Sequence, residues 1–247
     1  MDQSYYKVLA NCKEPGIQLI IFTYAGGMHN SFDAFSRKIP IENAKIVFIN
    51  MPGHDINQDP LLSNMDDYIE YLLPIVEELL IYPTILLGYS LGGSVVYRLS
   101  VILKNNKYLK RIILVASTPP NQINHNNSIT TASIQKTVSE MIRKMIDASN
   151  IKEDVYSSMM DFYLPIIEAD MNMFYSSSKY DDKSDLPVTV IFAEQDLSVD
   201  LKCSLNWLFY YNDTKVVKVP GGHLFIAEND ISKFINTVVE EMVILKQ

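Results

Sequence analysis

Residues 85–93 read ILLGYSLGG, and this stretch decides the fold. An apolar run typical of a buried strand ends in a Gly-x-Ser-x-Gly turn around Ser90, and a helical pattern begins at once. So tight a turn leaves no room for side chains two residues on either side of the serine, which explains Gly88 and Gly92. Ser90 would then lie at the tip of the turn with a strained backbone conformation, at the positive end of the dipole of the following helix. This context predicts a catalytic serine, whereas the pentapeptide alone could occur by chance in a loop.

Further apolar runs on both sides of this turn predict the other strands of a sheet. They cover residues 18–23, 45–49, 84–87, 111–116, 188–193 and 215–219. Runs that are apolar throughout are typical of parallel strands buried on both faces. Helical periodicity separates them, over residues 65–80, 92–103 and 231–245. The alternation predicts an α/β fold with a mostly parallel sheet and helices on both faces.

Two parts of the chain depart from this regular pattern. Pro74 interrupts the helical period over residues 65–80, so we expect a kink or two shorter helices there. The segment from 121 to about 180 is polar, contains many Met and Tyr residues, and has no strand-like run. We interpret residues 1–247 as a single domain with 121–180 as a helical lid inserted over the carboxyl edge of the sheet. Additional scaffold helices would give the same pattern, and this alternative stays open.

Composition limits the classes of function. The chain is 48% hydrophobic and 20% charged, as in ordinary globular proteins, and its formal net charge of −8 argues against binding nucleic acid. No apolar run is long enough for a membrane span, and the N-terminal residues lack the apolar core of a signal peptide. Cys12 and Cys203 form neither a disulfide framework nor a metal-binding spacing. We therefore expect a cytoplasmic protein with no metal or other cofactor and no membrane partner.

Three residues with complementary chemistry follow predicted strands. Active sites of open parallel sheets gather at the carboxyl ends of the strands, where the sequence places Ser90, Asp196 and His223. This is the chain order of the triad in an α/β-hydrolase fold. A neutral imidazole would accept the proton of Ser90 during attack, and a carboxylate would hold the imidazole in the required tautomer. We predict Ser90 as nucleophile, His223 as base and Asp196 as its partner.

The chain has three histidines besides His223, and His223 is the best placed to act as the base. His223 follows two glycines after the last predicted strand, so a loop could carry its ring to the serine. His29, His54 and His125 lie in polar loops upstream of the predicted lid or inside it. For these three we expect surface or structural roles.

Two other carboxylates, Glu194 and Asp200, lie close enough in sequence to Asp196 to be candidates for the orienting acid. Asp196 lies at a strand end, which is the position of the orienting acid. Glu194 should still belong to the end of the strand, and Asp200 is a weaker rival further on.

Two backbone N–H groups should stabilise the oxyanion of the tetrahedral intermediate. One is that of Leu91, immediately after the nucleophile, and the other comes from the loop Tyr24–Gly27, where Ala25 is the expected donor. Gly26 and Gly27 would let the backbone pass close to the substrate carbonyl.

The chain resembles the type II (editing) thioesterases of nonribosomal peptide and polyketide synthesis over nearly its whole length. The resemblance rests on Tyr24-Ala25-Gly26-Gly27, Met51-Pro52-Gly53-His54, Gly88-Tyr89-Ser90-Leu91-Gly92-Gly93, Tyr163-Leu164-Pro165-Ile166-Ile167-Glu168-Ala169-Asp170, Glu194-Gln195-Asp196 and Pro220-Gly221-Gly222-His223-Leu224-Phe225. It implies hydrolysis of acyl groups held as thioesters on the phosphopantetheine arm of acyl- or peptidyl-carrier protein domains. The substrate, not the enzyme, would then carry the phosphopantetheine.

The resemblance also implies roles for individual residues, and the chain differs from the usual family sequence at three positions. It implies the same roles for Ser90, His223 and Asp196 and the same two oxyanion donors. The family usually has His where this chain has Tyr89, Met at Leu91 and Gly at Ala193. Tyr89 could alter the pocket and so the acyl selectivity.

Carrier domains are typically acidic around the arm, so we expect positive charge on the docking face. Candidates are Arg98, Lys104, Lys107, Lys110, Arg111, Arg143 and Lys144. Most of these side chains would serve equally well as solvated surface.

Three alternatives remain at the level of sequence. The same triad would serve an acyl-CoA thioesterase or a small-molecule carboxylesterase. A non-catalytic protein that binds acylated carriers is a rival from another class. A hydrolase-fold lyase or acyltransferase also fits, because the elbow does not select water as the acceptor.

Overall fold

A computed structural model of the chain describes residues 4–40, 42–123, 130–149, 155–228 and 230–245. The strands are β1 (Tyr6–Ala10), β2 (Ile17–Phe22), β3 (Ala44–Ile49), β4 (Thr84–Tyr89), β5 (Leu109–Val115), β6 (Val188–Ala193) and β7 (Thr214–Val219). The α-helices are α1 (Asp33–Ser36), α2 (Met65–Leu79), α3 (Leu91–Ile102), α4 (Thr131–Ser149), α5 (Tyr156–Ser176), α6 (Leu201–Leu205) and α7 (Ser232–Ile244). None of the helices in the described part is long and apolar enough to cross a membrane.

The seven strands form one sheet in the order β1-β3-β2-β4-β5-β6-β7. Only β1 runs antiparallel to its neighbour, and the pairings from β3 to β7 are all parallel. Every residue of β2, β4 and β6 is buried, as expected of parallel strands covered on both faces. The predicted mostly parallel sheet is confirmed.

Helices pack on both faces of the sheet, and alternate residues of each strand serve the two cores. On one face, Ile20 and Phe22 of β2 contribute to a core shared with α2 and α3. On the other, Leu19 and Ile21 contribute to a core shared with α1 and α7. The period of two along a strand therefore divides the apolar residues between two helical layers.

The antiparallel strand β1 was not predicted. Its residues are only partly buried, and Val8 at its centre is 40% exposed. An edge strand with one covered side lacks the continuous apolar run that identified the other strands.

Helix α2 passes through Pro74 as a single element. Asn64 caps it, because the Asn64 side chain accepts a hydrogen bond from the Asp66 N–H (2.9 Å). The apolar face of α2 is buried in the core. The expectation of two shorter helices is therefore wrong, because tertiary packing outweighs the roughly 3 kcal/mol cost of an interior proline.

The segment 121–180 contains α4 and α5, and no strand in its described part. Ile134, Val138 and Ile142 of α4 form a small core of their own with Ile167 of α5. Helix α5 also contacts α2 and α3, which ties the segment to the main domain. Residues 124–129 and 150–154 of the predicted lid lie outside the described residues.

Candidate active site

Ser90 lies between the end of β4 and the first residue of α3. Its backbone has φ 51° and ψ −113°, a conformation that a residue with a side chain adopts only under strain. A Cβ atom at Gly88 would lie 2.2 Å from the carbonyl oxygen of Gly92, and one at Gly92 would lie 2.2 Å from that of Phe22. The two glycines are therefore required by close backbone approach, and the turn has the geometry of a nucleophile elbow.

The structure brings together the three residues predicted at the strand ends. Oγ of Ser90 lies 2.9 Å from Nε2 of His223, and Nδ1 of His223 lies 2.7 Å from Oδ2 of Asp196. Asp196 follows β6, and His223 follows β7, the neighbouring strand. This arrangement lets an imidazole accept the serine proton while a carboxylate orients the ring.

Asp196 has a fully buried side chain, whereas the His223 side chain is 34% exposed. Oδ1 of Asp196 accepts hydrogen bonds from the N–H groups of Ser198 (2.8 Å) and Val199 (3.1 Å). Burial alone would raise the pKa of Asp196, but the hydrogen bond and charge of His223 and these two N–H groups outweigh it. The pKa of Asp196 is therefore held below its ordinary value, and the carboxylate is ready to stabilise an imidazolium.

The rival carboxylates serve other purposes. Glu194 is exposed and pairs with Lys218 on β7 (2.8 Å). Asp200 caps α6, because its side chain accepts a hydrogen bond from the Cys203 N–H (2.7 Å). Of the three acids that were considered, only Asp196 contacts the imidazole.

The other two described histidines, His29 and His54, each pair with a carboxylate outside the triad. His29 pairs with Asp55, and both side chains are about one-third exposed. His54 is buried and pairs with Asp170, a contact that we did not predict. A signal existed, because both residues belong to motifs that carry the resemblance. His125 lies outside the described residues.

The loop Tyr24–Gly27, here called the oxyanion loop, forms a tight turn after β2. The Gly27 N–H donates to the Tyr24 carbonyl (2.9 Å), and Gly26 has φ 74°. The Gly26 N–H donates to Oδ2 of Asp170 (2.7 Å). Both glycine N–H groups are thus engaged, which is compatible with Ala25 as the predicted donor. The end of β2 lies against the start of α3, where Leu91 carries the second predicted donor.

Tyr89, the residue before the nucleophile, lies inside the core. Its side chain is fully buried and packs against the rings of Tyr24 and Phe225, with centroids 5.7 and 5.4 Å away. Its hydroxyl donates to the main-chain carbonyl of His223 (2.7 Å). Tyr89 therefore supports the loop that carries the imidazole, a role that we did not predict.

The candidate docking cations differ in what they contact, and among the exposed lysines Lys107 lies over the ring of Tyr108. Arg111 pairs with the fully buried Glu241 of α7 (3.1 Å), and Arg98 pairs with Asp182 (2.8 Å). Arg143 lies over the ring of Tyr156. The exposed lysines of the set are Lys104, Lys107 and Lys110, and the side chain of Lys144 lies outside the described part.

No metal centre accompanies the triad in the residues that the structure describes. No group of three or more His, Cys, Asp or Glu side chains is placed there to hold an ion. Cys12 and Cys203 are both free thiols. Burial and the charge of Asp200 raise the pKa of Cys203 to about 11, so this thiol is a poor nucleophile at neutral pH.

Comparison with known families and proteins gives a consistent result. The thioesterase domain family matches residues 17–240. The gramicidin S biosynthesis protein GrsT of Aneurinibacillus migulanus is 23% identical over 221 residues, covering 86% of this chain and 84% of that protein. The probable anguibactin biosynthesis thioesterase AngT of Vibrio anguillarum is 25% identical and covers 85% of each. The antimetabolite synthetase AmbE of Pseudomonas aeruginosa is 23% identical, but the chain spans only 10% of its length.

Solved structures confirm the fold class. YbtT, a type II thioesterase from the yersiniabactin pathway, superposes with a TM-score of 0.79 at 16% identity, covering 98% of this chain and 100% of that one. BorB, the type II thioesterase of the borrelidin cluster, gives 0.78 at 15% identity, with 98% of both chains covered. The architecture is thus the predicted α/β-hydrolase fold.

Proposed function

The chain belongs to the thioesterase domain family, and we propose that it hydrolyses acyl groups held as thioesters on the phosphopantetheine arm of carrier protein domains. The observation that carries the proposal is the unbroken hydrogen-bonded series from Ser90 through His223 to Asp196. The relatives GrsT and AngT are named for nonribosomal peptide products, which supports a carrier-bound substrate. Editing or release in such a pathway is the proposed role.

Acylation of Ser90 is the first chemical step. Oγ of Ser90 attacks the thioester carbonyl while Nε2 of His223 accepts the hydroxyl proton. The carbonyl oxygen becomes an oxyanion held by the N–H groups of Ala25 and Leu91. The C–S bond then breaks, and the pantetheine sulfur leaves as a thiolate that takes the proton from the imidazolium. A thiol is a good leaving group, so this proton transfer matters less than it would for an amide.

Hydrolysis of the acyl-enzyme completes the cycle. Water attacks the ester carbonyl, and His223 accepts its proton. The bond between Oγ of Ser90 and the acyl carbon breaks, and Oγ regains the proton from His223. The carboxylic acid leaves, and Asp196 stabilises the imidazolium in both halves of the reaction.

Segment 121–180 acts in this proposal as the lid over the acyl chain. Phe162 on α5 is 47% exposed, and Tyr163 beside it is half-buried. Its methionines suit a surface that accepts varied apolar groups. The exposed lysines Lys104, Lys107 and Lys110 are the cations proposed to meet an acidic carrier domain.

One comparison of substrates tests the proposed function. The same acyl group is presented on a carrier protein, on coenzyme A and on nitrophenol, and kcat/KM is measured for each. We expect the carrier-bound thioester to be hydrolysed most efficiently. Preference for coenzyme A or nitrophenol would instead indicate an acyl-CoA thioesterase or an esterase.

A variant series tests the nucleophile. Ser90→Ala should lower kcat at least about 10³-fold while carrier binding is retained. Ser94→Ala is the matched control, because Ser94 lies one turn further along α3 and its buried hydroxyl has no hydrogen-bond partner in the described part of the chain. A fluorophosphonate probe should label the unmodified protein but not Ser90→Ala. A protein that binds acylated carriers without turnover would resist the probe.

A further inference from the structure

Three segments distant in sequence meet at one buried carboxylate. Asp170 lies on α5, and its side chain is 1% exposed. Its Oδ2 accepts a hydrogen bond from the Gly26 N–H in the oxyanion loop (2.7 Å) and another from Nε2 of His54 (3.0 Å), in the loop after β3. The catalytic steps proposed above do not use Asp170 or His54.

The hydrogen bonds of His54 determine its charge. Nδ1 of His54 lies 3.0 Å from the carbonyl oxygen of Pro52, so both ring nitrogens face acceptors and each needs a proton to donate. The alternative is a neutral imidazole beside a protonated Asp170. Oδ2 of Asp170, however, also accepts the Gly26 N–H at 2.7 Å, and an ionised carboxylate oxygen accepts two N–H groups better than a protonated one does. The geometry therefore favours an imidazolium paired with a carboxylate.

The surroundings of this pair agree with that assignment. Burial by itself lowers the pKa of His54, but the hydrogen bond and charge of Asp170 and the Pro52 carbonyl outweigh it and raise the pKa. Burial and the negative charge of Asp170 also raise the pKa of Tyr68 on α2 well above its ordinary value. Tyr68 therefore stays a neutral phenol near the pair.

The oxyanion loop depends on α5 for its shape. Tyr24–Gly27 has a glycine with positive φ at its third position, as in a type II turn. Types I and II differ by a flip of the central peptide, here the one that joins Ala25 to Gly26. Asp170 accepts the N–H of this peptide. Cδ1 of Ile167, one helical turn before Asp170, lies 2.3 Å from the position that a Gly26 Cβ would occupy.

We infer that Asp170 is a positioning residue for the oxyanion hole. It anchors the peptide that follows Ala25 and so restrains the backbone next to the Ala25 N–H, while Nε2 of His54 contacts the same carboxylate oxygen. The position of the lid helix α5 and the shape of the oxyanion hole are consequently coupled, since α5 supplies both the hydrogen-bond acceptor and the apolar contact for Gly26. This inference rests on the proposed role of Ala25 as an oxyanion donor.

The test compares three variants on a carrier-bound thioester and on p-nitrophenyl acetate. Asp170→Ala removes the acceptor, and we expect kcat to fall roughly tenfold or more with KM nearly unchanged, because an oxyanion hole acts on the transition state. Asp170→Asn retains an oxygen for the Gly26 N–H and should recover part of kcat. Asp161→Asn makes the same change at an exposed position of α5 and should behave like the unmodified protein.

A second measurement does not depend on activity. Amide hydrogen exchange at Gly26 should be slow in the unmodified protein and in Asp161→Asn, and much faster in Asp170→Ala. Exchange in the unmodified protein also decides the question should Asp170→Ala fail to fold, because a rapidly exchanging Gly26 contradicts the contact.

Several outcomes would overturn the inference. A folded Asp170→Ala variant with unchanged kcat rejects it, and so does a rise in KM at constant kcat, which would make Asp170 a substrate-binding group. Failure of the proposed function looks different. In that case the unmodified protein hydrolyses p-nitrophenyl acetate but not the carrier thioester, and the ester data with Gly26 exchange still decide the role of Asp170.

Discussion

The phenolic oxygen of Tyr89 lies 2.7 Å from the main-chain carbonyl oxygen of His223. The residue before the nucleophile thus holds the backbone of the base, and β4 is joined directly to the loop after β7. The Tyr89 side chain is fully buried and packs against the ring of Phe225, so its hydroxyl is held in place for this bond.

Replacing Tyr89 by Phe should therefore impair both stability and turnover. The change keeps the ring packing but removes the donor to the His223 carbonyl. We expect the free energy of unfolding to fall by about 0.5–1.5 kcal/mol, the net contribution of a typical hydrogen bond. We expect kcat to fall several-fold, because the imidazole is less well placed. Chemical denaturation and steady-state kinetics measure the two effects.

Tyr97 offers the matched control for this substitution. Its hydroxyl also donates to a main-chain carbonyl, that of Asp182, at 2.7 Å, and its side chain is equally buried. Tyr97→Phe should lose similar stability with kcat retained. Equal losses of kcat in the two variants would show that general softening, not placement of His223, causes the effect.

Asp196→Asn should lower kcat by roughly 10²–10⁴-fold. An amide in place of the carboxylate favours the wrong imidazole tautomer and leaves the imidazolium without its counter-charge. The control is Asp200→Asn, which changes the rival acid but keeps a residue able to cap α6. Kinetics on one thioester compare the pair, and comparable losses in both variants would contradict the assignment of Asp196.

The triad was predictable because each member follows a recognisable strand: β4 and β6 are apolar almost throughout, and β7 has the partly apolar pattern KVVKV. Buried parallel strands are easily recognised, and the carboxyl ends of such strands meet at one edge of the sheet. Ser90, Asp196 and His223 could therefore be placed together without coordinates. The edge strand β1 could not be predicted, because its residues are only partly buried and so form only a weak apolar pattern in the sequence.

The contacts between loops and the lid were beyond prediction for a different reason. His54 and Asp170 are 116 residues apart. His54 lies in a loop, and the helical period of α5 does not specify which loop Asp170 will meet. The hydroxyl of Tyr89 likewise finds a backbone carbonyl 134 residues away. Such bonds depend on how loops close over the sheet, which local pattern does not encode.

Removing His54, the charged partner of Asp170, should cost an amount of stability that depends on pH. The pKa of His54 is raised in the folded protein, so its pairing stabilises fully below the unfolded value of about 6.5 and is lost as pH rises through the folded pKa. The difference in unfolding free energy between the unmodified protein and His54→Gln should be about 1–3 kcal/mol below pH 6.5. It should shrink at higher pH.

Denaturation curves over a pH series check this sign. His29→Gln is the control, since His29 pairs with Asp55 where both side chains are partly exposed, and such pairs contribute little. A difference for His54→Gln that grows with pH would contradict the assignment of an imidazolium at position 54.

Gly26→Ala tests the packing of α5 on the oxyanion loop. The positive φ of 74° costs a residue with a side chain about 1–2 kcal/mol, and the new Cβ would also collide with Cδ1 of Ile167. Ile167→Val removes that atom, so Gly26→Ala should cost only the conformational term in the Ile167→Val background. The resulting coupling energy in a double-mutant cycle should be favourable. Gly16→Ala, with no atom closer than 4.0 Å to its Cβ, is the control. If the changes in unfolding free energy of the two substitutions were strictly additive, α5 would not pack closely against Gly26.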